Sequence, residues 1–337
     1  MKYTNMKQWL DDLRAAPNRK PLPILSVPCI SLLGITVREL ISDSERQAEG
    51  MRLVAANTDA AASVSLMDLS VEAECFGAEI RVSDSEVPTV VGRLVHDEDE
   101  AEALAVPPVG SARSGLYIDV IRRAVTMIED RPVFAGMIGP FSLAARLLDV
   151  SEIMMDCYDD PDMVHVVLRK ATAFLIEYAR AYKAVGAGGI MMAEPVAGLL
   201  SPALEAEFSA PYVKQIVDAV QDDSFLLIYH NCGDNTVAMI DSILSTGSAA
   251  YHFGNAIDLR TMLEKVPADT VVMGNVDPAA EFRMGTPASI RLATFDVLEK
   301  CSSFPNFVLS SGCDIPPMTA WENINAFFAA AKEYDAR

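Results

Sequence analysis

The feature that most constrains this chain is a repeated switch between short apolar runs and segments of helical period. Runs of strand type occupy 62–67, 89–95, 133–139, 188–193, 225–229, 249–253, 270–274 and 307–311. Between and after them, apolar residues recur at helical spacing over 118–129, 142–148, 161–184, 204–220, 236–245, 257–265, 288–301 and 321–334. Asp160-Pro161 is a good start signal for the longest of these helices. Strand and helix units repeated about seven or eight times with short connections imply a parallel sheet. No Gly-x-Gly-x-x-Gly follows a first strand, which leaves a dinucleotide-binding sheet with little support. At 337 residues the chain has the length and repeat count of an α/β protein closed into a (β/α)8 TIM barrel. No break in composition marks a linker, so a single domain over 1–337 is expected, with residues 1–60 as an N-terminal helical extension. That extension comprises a short amphipathic helix from Met6 to Ala15 ending near Pro17, an apolar, irregular or strand-like stretch from Leu22 to Leu32, and a helix from Thr36 to Thr58.

In such barrels chemistry collects at the C-terminal ends of the strands. The residues found there are Asp68, Glu194, His230 with Cys232, Asn255, Asn275 with Asp277, and Cys313 with Asp314. The run Leu226-Leu227-Ile228-Tyr229-His230-Asn231-Cys232-Gly233 ends in an imidazole and a thiol two residues apart. In extended chain, positions i and i+2 face the same side. A matching run, Phe307-Val308-Leu309-Ser310-Ser311-Gly312-Cys313, offers a third donor on the same rim. One imidazole and two thiolates form a zinc set with one position left open, the arrangement of a catalytic zinc. Soft thiolates favour Zn2+ over Mg2+ or Mn2+. On the residues alone a second reading stays open, because a buried cysteine is usually a small hydrophobe. That reading is preferred for Cys29, Cys75, Cys157 and Cys301, while His96, His165 and His252 read as ordinary structural histidines, His252 on a strand near the rim.

Composition removes several function classes. A formal net charge of −20 argues against binding nucleic acid phosphates or an anionic membrane surface. No run approaches the roughly 18 apolar residues of a membrane-spanning helix. Residues 1–12 carry acidic groups and no apolar signal core, and the six cysteines are scattered rather than patterned. Reduced thiols and a cytoplasmic location are therefore expected.

The segments at the strand ends also carry a resemblance. They are Asp68-Leu69-Ser70-Val71-Glu72-Ala73-Glu74-Cys75-Phe76-Gly77, Gly136-Met137-Ile138-Gly139-Pro140-Phe141-Ser142, Glu194-Pro195-Val196-Ala197-Gly198-Leu199-Leu200-Ser201-Pro202, Gly274-Asn275-Val276-Asp277-Pro278 and Ser311-Gly312-Cys313-Asp314-Ile315-Pro316-Pro317. Together they resemble the uroporphyrinogen decarboxylase superfamily of (β/α)8 barrels, from residue 35 or so to the end. The decarboxylase branch holds an acidic tetrapyrrole with an arginine-rich N-terminal segment and uses no metal. Here Pro28-Cys29-Ile30-Ser31-Leu32-Leu33-Gly34-Ile35 contains no arginine. In the cobamide-dependent methyltransferase branch, of the methylcobamide:coenzyme M type, His-x-Cys and a later Gly-Cys hold zinc. His230-Asn231-Cys232 and Gly312-Cys313 match that pattern. The resemblance implies a methyl group moved from a methylated corrinoid, carried on a separate protein, to a small-molecule acceptor. That acceptor is a zinc-activated thiol such as coenzyme M, or alternatively tetrahydrofolate. In that reading Glu194 is a fourth zinc ligand in the resting state, an acceptor for His230 or another ligand, or a hydrogen-bonding group of the rim with no role at the metal. Asp68, Asn255 and Asn275 would position the substrate or methylcobamide, and Asp314 would orient its loop. A decarboxylase of a tetrapyrrole acid is the alternative.

Overall fold

The computed structural model describes residues 3–16 and 20–336. Among the described residues nine strands form: β1 (Ser63–Val64), β2 (Glu79–Arg81), β3 (Thr89–Val91), β4 (Val133–Ile138), β5 (Gly189–Ala193), β6 (Leu226–Asn231), β7 (Ala250–Phe253), β8 (Val271–Val276) and β9 (Phe307–Ser311). Seven of them make one parallel sheet in the order β1-β4-β5-β6-β7-β8-β9. Helices alternate with these strands, as the periodicity predicts. The helix expected at 161–184 spans Pro161–Ala184, capped by the Asp160 side chain.

Three expectations need correction. The run at 89–95 supplies no barrel strand: Thr89–Val91 pairs antiparallel with Glu79–Arg81, Ile80 opposite Val90, as a separate ribbon. The helix expected over 204–220 is two, Pro202–Phe208 and Ala210–Val220. Pro211 has no N–H to give and its ring crowds the preceding turn, which breaks the helix at Ser209. The helix expected over 36–58 is also two, Val37–Ile41 and Ser44–Asn57, because Asp43 accepts from the Glu45 and Arg46 backbone N–H groups and starts a fresh helix.

The sheet curls until its edges nearly meet, and residues 20–25 fill the seam. Leu22 N–H donates to the Leu309 carbonyl (2.9 Å) and Ile24 N–H to Ser311 Oγ (3.1 Å), while Ala61 N–H donates to the Pro21 carbonyl (2.9 Å). Pro21 and Pro23 supply no backbone N–H, so this segment donates on its β9 side alone and never becomes a regular strand. The barrel interior is filled by alternate residues, among them Phe134, Met191, Ala193, Leu226, Ile228, Ala250, Met273 and Val308. The helix Met6–Ala15 covers the barrel floor with Met6, Trp9 and Leu13, the Trp9 ring 5.4 Å from that of Phe134. Pro17, where that helix is expected to end, lies outside the described residues. No helix among the described residues is long and apolar enough to cross a membrane.

Candidate metal centre

Strand parity decides which residues reach the barrel mouth. On β6, Leu226 and Ile228 point inward, so His230 does too, and Cys232 keeps that side as the strand ends. The intervening Asn231 points outward and shapes the turn: its Oδ1 accepts from Gly233 N–H (3.0 Å) and Thr236 Oγ (3.2 Å), and its Nδ2 donates to Tyr229 Oη (3.1 Å). Cys313 follows β9 after Gly312, whose N–H donates to the Val276 carbonyl (2.7 Å). The result brings His230 Nε2, Cys232 Sγ and Cys313 Sγ within 4.8 Å of one another, and Cys313 Sγ lies 3.5 Å from His230 Nε2.

That spacing suits a tetrahedral ion. With bonds of about 2.3 Å to sulfur and 2.0–2.1 Å to nitrogen, two ligands on one zinc sit about 3.6 Å apart. The two thiols are hydrogen-bonded to each other. Cys232 is held below its usual value by the hydrogen bond from Cys313, whereas Cys313 is pushed up to about 12 by donating that bond and by burial. The residues present fit zinc: one neutral imidazole and two thiols that a divalent ion would convert to thiolates.

Glycines let the rim loops close on these ligands. A Cβ on Gly254 would lie 2.6 Å from both Cα and Cβ of Cys232. Gly254→Ala is therefore expected to push Cys232 off its position. Zinc affinity should fall by about 10- to 100-fold, as for other changes around a ligand, with little change in circular dichroism. Unchanged affinity in a chelator competition would contradict this close packing.

Among the described residues none of the expected carboxylates joins this cluster as a further metal donor. Met191 and Ala193 face the interior, so Glu194 faces outward, towards the helix Pro140–Leu148. Its carboxylate accepts from the Phe141 N–H (2.9 Å), the Ser142 N–H (2.9 Å) and Ser142 Oγ (2.7 Å), capping that helix. A side chain on Gly139 would collide with this carboxyl. Glu194 thus makes no metal group with His230 among the described residues. Asp68 is buried with both oxygens taken, one by Ser70, the other by Arg113 Nη1 and by Tyr117 Oη at 2.8 Å. Asn275 donates to the Gly254 and Ile257 carbonyls (both 3.0 Å), which braces the loop lying against Cys232. Asn255 is exposed and donates to Asp277 Oδ2 (2.9 Å), while Asp277 caps the turn that follows. Asp314, beside Cys313, is raised well above the usual carboxyl range, chiefly by burial.

Sequence reasoning passed over two groups. His252 sits opposite His230 in the parallel register, with their Nδ1 atoms 2.8 Å apart. Its presence on a strand at the rim was the available signal. Glu205 lies buried behind β6 with neither carboxyl oxygen hydrogen-bonded, and burial pushes it to about 7. Burial likewise raises Glu194 to about 7 and Glu72 to about 8, from an ordinary 4.5. For each, the folded state holds its proton over a window where the unfolded chain has lost it, so stability falls as pH rises from 4.5 through 7–8. Melting temperature of metal-free protein is expected to decline between about pH 5 and pH 8, and Glu205→Gln, which cannot ionise, to flatten the slope. A melting temperature that climbs over the same range would refute the assignment.

The uroporphyrinogen decarboxylase (URO-D) family model matches residues 25–334. The chain belongs to that family. Among its relatives is the methylcobamide:CoM methyltransferase MtbA of Methanosarcina acetivorans, 28% identical over 271 residues, covering 79% of this chain and 78% of the relative. Another is the uroporphyrinogen decarboxylase of Coxiella burnetii, 26% identical over 289 residues, covering 82% and 78%. Among solved structures, a methyltransferase from Methanosarcina mazei superposes with a TM-score of 0.84 at 25% identity, over 98% of this chain and 99% of that one. A B12-independent methionine synthase from Shewanella shares the fold, with a TM-score of 0.63 at 13% identity over 94% of this chain and 98% of its own.

Proposed function

We propose that this family member is a zinc-dependent methyltransferase. It moves a methyl group from a methylated corrinoid, held by a separate carrier protein, to a thiol such as coenzyme M. The observation that carries this reading is the convergence of His230, Cys232 and Cys313 at one mouth of the barrel. The similarity to methylcobamide:CoM methyltransferases supports it. When bound, zinc would ionise a substrate thiol near neutral pH, where a free thiol of pKa about 8.5 is mostly protonated.

The chain's own part is to hold three donors in place, a set that would leave one position of a bound zinc for the substrate thiol. Two thiolates and a neutral imidazole bring a charge of −2 to the divalent ion, so the donor set adds no net positive charge that would quench an incoming sulfur nucleophile. Asn275 and Gly254 keep Cys232 seated, and the Asn231 turn sets the distance between His230 and Cys232. With Asp68 and Glu194 tied to backbone and arginine, their role in this reading is to fix the rim, not to touch the methyl group.

Metal analysis should find near one zinc per chain. Demethylation of methylcobalamin, followed by the change in its visible spectrum, should then require a thiol. Screening coenzyme M, other thiols and tetrahydrofolate names the acceptor, and saturation of the rate with a corrinoid carrier protein tests the partner. Zinc-free protein that demethylates at the full rate would sink the reading. Decarboxylation of a tetrapyrrole acid is the second reading, favoured by the decarboxylase relatives. It is opposed by the absence of arginine from Pro28–Ile35 and by the charge of −20.

A further inference from the structure

A histidine can serve a metal only through a nitrogen that carries no proton, and the hydrogen bond on its other nitrogen decides which one that is. The partners of His230 form a chain whose direction is fixed at its far end. The Leu22 carbonyl, in the seam segment, has no proton to give and accepts from Ser310 Oγ at 2.7 Å. That uses the single proton of Ser310. Ser310 Oγ also lies 2.7 Å from His252 Nε2, so there it accepts, and His252 carries its proton on Nε2. His252 is fully buried, and its two ring nitrogens meet a hydroxyl and an imidazole, neither of them an anion. A neutral ring protonated at Nε2 has a bare Nδ1. His230 Nδ1, 2.8 Å away, must therefore donate to it. This leaves His230 Nε2 bare, on the side of the ring that faces Cys313 Sγ.

The geometry points to His252 and Ser310 as positioning residues that fix the Nδ1-protonated tautomer of His230, anchored on the Leu22 carbonyl. The relay is built from the inward faces of β6, β7 and β9, with the seam as its terminus. It rests on the reading of His230, Cys232 and Cys313 as metal ligands. Reversing the Ser310–His252 bond, and with it the His252–His230 bond, would put the proton on His230 Nε2, where it would have to leave before a metal could bind.

The test has two arms on zinc-free full-length protein. Long-range 15N–1H correlation spectra with labelled histidine report the tautomer directly. His230 is expected as Nδ1–H with an unprotonated Nε2, and Ser310→Ala is expected to mix in the other form. Chelator competition should show Ser310→Ala binding zinc about 10- to 100-fold more weakly, and Ser310→Thr, which keeps the hydroxyl, restoring it. A wild-type His230 protonated at Nε2 overturns the proposal, and the wild-type spectrum needs no variant to fold. Ser310→Ala with wild-type affinity and an unchanged tautomer overturns it as well. Wild-type protein that binds no zinc would defeat the metal reading, while the spectra would still decide the relay.

Discussion

Replacing Cys313 with alanine is expected to strip the protein of zinc and abolish thiol-dependent methyl transfer. The apparent binding free energy of zinc held by protein thiolates and imidazoles is about 10–16 kcal/mol, so each donor carries several kcal/mol. A loss of about 4 kcal/mol weakens affinity by on the order of 10³-fold. Zinc content by mass spectrometry should drop from near one per chain to background, and chelator titration should give the affinity directly. Folding should survive, because Cys313 is half-buried at a loop and packs little apolar surface. Cys232→Ala should behave alike. If Cys313→Ala keeps its zinc and its activity, the donor set is wrong and the neighbouring Asp314 becomes the residue to examine.

The largest effect on stability is expected at Arg113. Its guanidinium bonds Asp68, Glu74 Oε2 (2.7 Å) and Ser70 Oγ (2.9 Å), and the Asp68 side chain is fully buried. Arg113→Ala would leave that carboxylate buried beside Glu72, another buried acid, with only Tyr117 and Ser70 as donors. Breaking a buried pair from one side costs about 3–5 kcal/mol, whereas removing both partners together costs less. Urea denaturation should thus rank Arg113→Ala below the double replacement Arg113→Met with Asp68→Asn. A cost under about 1 kcal/mol for Arg113→Ala would show that the pair does not hold this loop.

Much of this was legible in the sequence because it rests on period and parity. The alternation of runs and helices follows from burial, and the parallel sheet follows from the alternation. His230 and Cys232 were visible as a pair since two residues of extended chain return to the same side. Parity applied with equal care would have turned Glu194 away from the mouth, because Met191 and Ala193 fill the interior. Asp68 shows a different limit. A carboxyl at a strand end looks free in one dimension, and the arginine that neutralises it lies 45 residues downstream. His252 was hidden by the same limit: its contact with His230 exists only once β6 and β7 lie side by side. The seam was obscured by Pro21 and Pro23, which remove the donors that make a strand recognisable.

The seam also sets an order on how the protein can be made. Leu22 and Ile24 leave the ribosome long before their partners Leu309 and Ser311 are added, for the Ile24–Ser311 bond spans 287 positions. Until then the nascent barrel carries two open sheet edges, one at β1 and one moving outward as each strand is added. Any product truncated before β9 would keep them. Premature termination should therefore yield aggregating chains, not a partly active enzyme, and the newly made protein has reason to need shielding until β9 emerges.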